Sequence, residues 1–95
     1  MKCVFSPDAQ ADIDAIWDNT FEDWGIDQAE IYVQLFQNAS LMIAKNRRSG
    51  RDCSEIRAGY RRYPVGSHVM FYRIGDDSID VVRILHQRMD YGRHL

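Results

Sequence analysis

The run Asp80-Val81-Val82-Arg83-Ile84-Leu85-His86-Gln87-Arg88-Met89-Asp90-Tyr91 decides how the rest of the chain must fold. Its first half is short, β-branched and apolar, the composition of a strand covered on both faces. Arg83 and His86 interrupt that run, and Arg88 follows it. An unpaired charge buried in a sheet costs more than the run gains. These groups must therefore be paired or must line an open surface.

Upstream, His68–Ile74 reads as a second strand, joined to Ile79–His86 through the turn Gly75-Asp76-Asp77-Ser78. Before it, Glu55–Tyr63 reads as a strand that ends at the turn Pro64-Val65-Gly66-Ser67. Arg57, Gly59 and Arg61 would then share one face, with the glycine leaving space between two guanidinium groups. Short turns make the three strands an antiparallel meander. The segment Asn46–Asp52 is a basic, polar loop without a glycine-rich phosphate cradle.

The first half is helical. After a short strand at 2–5, Ser6 has the chemistry of an N-cap, Pro7 suits the first helical position, and Asp8 complements the dipole. Ile13, Ile16, Trp17, Thr20, Phe21 and Trp24 recur at the spacing of one helical face. The acids Asp12, Asp14, Asp18, Glu22 and Asp23 fall mostly on the other. Gly25 is expected as a left-handed cap. Asp27 and Glu30 have capping-box spacing, and Tyr32, Leu35, Phe36, Ala39, Met42 and Ile43 carry a second helix to about Lys45. So short a connection makes the helices antiparallel neighbours.

The fold class expected is α+β, one domain over residues 1–95 in the order β-α-α-β-β-β. An antiparallel sheet carries the N-terminal helical hairpin on one face, because the hairpin's apolar stripe has no other surface to cover. The opposite sheet face is expected to stay open and to present arginines.

Charge is distributed unevenly. Residues 1–44 hold one base against eight acids, a net of −7, whereas residues 45–95 hold eleven bases against six acids, a net of +5. Such asymmetry points to an anionic partner for one face, or to halves that neutralise each other. No apolar run approaches the ~18 residues of a membrane span. The opening Met1–Ser6 lacks the apolar core of a signal peptide, so the cytosol is the expected location. Cys3 and Cys53 match no metal spacing and are expected to be reduced and structural. No cofactor or metal is expected, and no P-loop, nucleophile elbow or dinucleotide fingerprint is present.

Arg57, Arg61, Arg83, Arg88, His68 and His86 are expected on and around the open face. Two uses fit them. Guanidinium groups pair bidentately with carboxylates of an acidic partner. Alternatively, arginines stabilise phosphate charge while His86, Glu55 or Tyr91 moves protons. Each histidine also has an ordinary reading as a satisfied structural imidazole.

Four segments together resemble the ParE toxins of the ParE/RelE superfamily. They are Phe5–Trp17, Trp24-Gly25 with the following Ala29 and Tyr32, the strands around Arg57 and Val69–Tyr72, and the tail Arg83–Asp90. The resemblance implies the toxin of a type II toxin–antitoxin system, neutralised by a ParD-like antitoxin with an acidic, partly disordered tail. It implies DNA gyrase as target, without direct sequence-specific nucleic-acid binding. The antitoxin contacts expected are Arg57, Arg61, Arg73, Arg83, His86 and Arg88, with Trp17 and Trp24 as the apolar part. RelE relatives cut mRNA on the ribosome; for that alternative the residues are Arg57, Arg61, Arg83, His86 and Tyr91. Lys45 is the last lysine in the chain. The lysines of a RelE-type site are therefore missing, which favours a non-enzymatic poison.

Overall fold

The computed structural model describes all residues from Met1 to Leu95. Strand β1 (Lys2–Phe5) leads into α1 (Pro7–Trp24) and α2 (Ile26–Lys45). Four strands follow: β2 (Arg51–Asp52), β3 (Tyr60–Val65), β4 (His68–Ile74) and β5 (Ser78–His86). A final helical turn, α3, spans Tyr91–His94. The sheet order is β1-β5-β4-β3-β2. The β3–β4–β5 meander is antiparallel as its turns require, and β1 adds parallel to β5, making the sheet mixed.

Ser6 caps α1: its Oγ accepts the Ala9 N–H at 3.0 Å and donates to the Val82 carbonyl at 2.8 Å, tying the helix start to β5. At the α1–α2 junction the sequence reading needs correction. Gly25 has φ 90 and ψ 177, an extended ψ rather than the left-handed helical cap. It ends α1 and starts α2 at once, so α2 begins at Ile26 with no side-chain cap, and Asp27 and Glu30 form no capping box.

The strand expected at Glu55–Tyr63 begins only at Tyr60. Asp52 accepts the Ser54 N–H at 2.8 Å, an Asx turn that diverts the chain, and Gly59 at φ 81 turns it back. Arg57, Gly59 and Arg61 therefore share no strand face. The expected loop at 46–52 contributes β2, where Arg51 lies opposite Arg62. Pro64 lies inside β3, beyond the reach of the two-residue β2, at an edge where its missing N–H costs nothing.

The main core lies between the hairpin and the sheet. Ala9, Ile16, Phe36, Ala39 and Ile43 meet Met70, Tyr72, Ile79, Val81 and Ile84. Four residues expected on the apolar stripes of the helices lie outside the core: Phe21 is 45%, Trp24 74%, Leu35 39% and Met42 53% exposed. Trp24, in the last turn of α1, stands at the mouth of a cleft with His68 and His86 instead of packing into the core. The second correction is larger. The opposite sheet face is not open, because Val69, Phe71 and Leu85 form an apolar cluster with Cys53. The turns at 53–59 and the tail at 91–95 cover it through Ile56, Tyr91 and Leu95. β4 runs Val-Met-Phe-Tyr without polar alternation, so both of its faces need cover.

Candidate functional site

Arg83 is paired. Its Nε and Nη2 donate to the two carboxylate oxygens of Asp12 at 2.8 and 2.9 Å. Asp12 Oδ2 also accepts the Ile84 N–H at 2.8 Å. The fork geometry is that of a charge-assisted bidentate pair. The hydrogen bond from Asp12 holds the Arg83 guanidinium above its ordinary pKa, against the opposing effect of burial. Asp12 thus lies on the inner side of α1, not among the outward acids. Arg83 therefore does not present a free charge on an open sheet face, as the sequence led one to expect.

The other arginines divide into engaged and free. Arg57 Nη1 donates to the Leu95 carbonyl at 2.6 Å, and Arg83 Nη1 to the His94 carbonyl at 3.2 Å. Together they strap the tail onto the sheet. Arg61 donates through Nε and Nη2 to the Gly50 carbonyl at 3.0 and 2.7 Å, and lies 4.0 Å from Asp52. Arg73 stands 3.7 Å from Asp80 with its side chain 59% exposed. Arg88 and Glu55 are exposed and without side-chain partners. Tyr91 packs edge-on against Phe71 with ring centroids 4.9 Å apart, and its hydroxyl donates to the Gln87 carbonyl at 2.9 Å.

The histidines lie on the other face, beneath the hairpin. His68 and His86 are opposite each other across β4 and β5, with ring centroids 5.2 Å apart. His68 Nδ1 is 2.6 Å from the Tyr32 hydroxyl, which also accepts the Ser67 N–H at 3.0 Å. The hydroxyl donates to His68 when the ring carries its proton on Nε2, and accepts from it in the other tautomer. His86 Nδ1 accepts the Arg88 N–H at 3.1 Å, so its proton is on Nε2. Burial, and then the neighbouring His86, push the His68 pKa down; Asp12 acts in the opposite sense. The two rings open onto a cleft of about 580 Å³ that also meets Asn19, Asp23 and Trp24.

The fold therefore separates residues that the sequence grouped. Arg57, Arg83 and Tyr91 belong to the tail side, and His68 and His86 to the hairpin side. No cluster of three or more His, Cys, Asp or Glu side chains is placed to hold a metal ion. Neither thiol is activated, since burial raises the pKa of both Cys3 and Cys53. Sequence reasoning missed Asp12, Tyr32, Arg51 and Arg62. Asp12 had a signal: Ala9, Asp12, Ile13 and Ile16 follow the i, i+3, i+4, i+7 rule of a buried face.

The outer surface of the hairpin is unusually apolar. Trp24, Ile26, Ile31, Leu41 and Met42 are each more than half exposed. Trp17 is half-buried and stacks on Phe21 with ring centroids 5.2 Å apart.

The sequence family described as ParE toxin of type II toxin-antitoxin system, parDE, matches residues 3–91. The chain is similar to Toxin ParE1 of Mycobacterium tuberculosis, 54% identical over 95 residues, 99% of this chain and 97% of that protein. Toxin ParE1 of Caulobacter vibrioides is 42% identical over 87 residues, 92% of this chain and 90% of that one. In fold it is similar to a chain of the chromosomal ParDE TA system from P. aeruginosa, with a TM-score of 0.80. That match covers 90% of this chain and 95% of the other at 22% identity, a likeness of fold.

Proposed function

Because the chain belongs to the ParE family, toxins of type II toxin–antitoxin systems, we propose that it arrests growth by binding and poisoning DNA gyrase in the cytoplasm, without chemistry of its own. A ParD-like antitoxin neutralises it. The observation that carries the non-enzymatic reading is the engagement of the cations by the fold. Arg57 and Arg61 hold backbone carbonyls and Arg83 holds Asp12, while His86 lies across the sheet from Tyr91. Cleaving a phosphodiester needs a base, an acid and charge-stabilising groups within about 3 Å of the reacting atoms. Here those groups point away from any common centre.

The antitoxin reading rests on the hairpin. An amphipathic helix of the partner lies on the exposed apolar surface around Trp17 and Trp24, in the helix-in-groove mode. The exposed cations Arg73 and Arg88 meet acidic residues of the same partner. Arg57, Arg61 and Arg83 act on that interface indirectly, by fixing the tail and the 46–52 segment.

Purified toxin is incubated with gyrase, relaxed plasmid and ATP. Loss of supercoiling together with an accumulating cleaved complex supports the reading. Unimpaired supercoiling, or fresh transcript ends within coding regions after induction, overturns it.

A further inference from the structure

The uncovered part of the tail-side sheet face is a groove of about 670 Å³, within the size range of ligand sites. Arg51, Arg62, Gln87 and Tyr91 are among the residues that line it. Arg51 and Arg62 are direct cross-strand partners on β2 and β3. Opposed like charges, with Cβ atoms about 4.5–5.5 Å apart, destabilise a strand pair. Neither guanidinium has an acidic partner or a hydrogen bond within the protein. The chain carries fourteen acids, yet none is placed to relieve this pair. Arg47 and Arg48 on the adjoining turn are likewise exposed and free of ion pairs.

Two cross-strand positive charges beside the Tyr91 ring and an amide make a surface with two recognition chemistries. The guanidinium groups take phosphate oxygens bidentately. The ring of Tyr91, held against Phe71 on one side, offers a face for a base. An acidic peptide would satisfy the arginines and leave the Tyr91 ring without a partner. We infer that the Arg51/Arg62/Tyr91 groove binds a single polynucleotide strand, phosphates on the arginines and a base against the Tyr91 ring, with no sequence preference. The inference does not rest on gyrase being the target.

The test is fluorescence anisotropy on the purified toxin at low salt. The probes are labelled dT12, rU12, an abasic strand of equal length, and a polyglutamate peptide as competitor. We expect saturable binding of dT12 or rU12 and at least tenfold weaker binding of the abasic strand. The double variant Arg51→Ala/Arg62→Ala should weaken binding at least tenfold. It should also flatten the dependence of log K on log salt by about 1.4, the slope of two single-strand phosphate contacts. Its melting temperature should not fall, since the substitution removes a repulsive pair. Wild-type affinity in the double variant, abasic affinity equal to that of dT12, or displacement by polyglutamate at matched charge each overturns the inference.

Discussion

Asp12 and Arg83 are 71 residues apart in sequence and close a bidentate ion pair between α1 and β5, in which the same carboxylate also holds the Ile84 N–H. The pair answers the question raised by a charge inside an apolar strand. Its side chains are 16% and 25% exposed, so neither group is fully dry. Asp12→Ala strands a partly buried cation and an N–H at once. The expected cost is about 2–4 kcal/mol, at and below the range for breaking a buried pair because some solvent remains. Asp12→Asn keeps an acceptor for Ile84 and should cost less. Urea unfolding measures both, and equal losses would show that the Ile84 hydrogen bond contributes nothing beyond the charge.

A second prediction concerns the segment that carries the free arginines. The buried Tyr72 hydroxyl accepts the Gly50 N–H and donates to the Arg47 carbonyl, each at 2.8 Å. Tyr72→Phe removes both and should destabilise by about 1–3 kcal/mol, the cost of unsatisfied groups. Gly50→Ala should be worse. A Cβ there would lie 2.7 Å from the Arg62 carbonyl and from the Tyr72 ring, and the carbonyl is backbone that cannot step aside. Thermal melts rank the two; a Gly50→Ala protein as stable as wild type would sink the packing argument.

His68 makes the fold sensitive to mild acid. Its pKa is lowered by burial and by His86, with Asp12 opposing, and Tyr32 and the cleft-lining Asp23 are its other titratable neighbours. A group whose folded pKa is depressed binds more protons when unfolded. Stability is therefore full above the unfolded value of about 6.5 and falls as pH drops through it toward the folded value. Chemical denaturation between pH 7.5 and 5.5 should show this loss, and His68→Gln should flatten it. A profile unchanged by the substitution would place the effect elsewhere.

Much of the fold was legible because local signals and burial agreed. Ser6-Pro7 marked the start of α1, and the turns around β4 marked its ends, since cap and turn chemistry act within a few residues. The tail-side cover was less legible. An apolar strand without polar alternation is covered on both faces, and this holds for Val69–Tyr72 in β4 as it does for β5. The second sheet face is closed by segments remote in sequence, at 53–59 and 91–95. Arg57 and Arg83 were visible as charges, but their partners at Leu95 and Asp12 are 38 and 71 residues away, beyond any local pattern. Arg51 and Arg62 acquire meaning only through the β2–β3 register, which follows from an Asx turn and a positive-φ glycine between them.

Trp24 separates packing from recognition. It is 74% exposed, so Trp24→Ala should change stability by no more than about 0.5 kcal/mol. A large aromatic left in water beside exposed Ile26 and Phe21 has the character of an interface anchor, and truncating such anchors typically costs 2 kcal/mol or more, about thirtyfold in affinity. Calorimetric titration with the antitoxin should therefore show a weaker complex from a toxin that melts normally. Ile31→Ala on the neighbouring helix should cost less, since a smaller side chain buries less area. Undiminished affinity in Trp24→Ala would move the antitoxin off the hairpin and leave the exposed apolar surface for another partner.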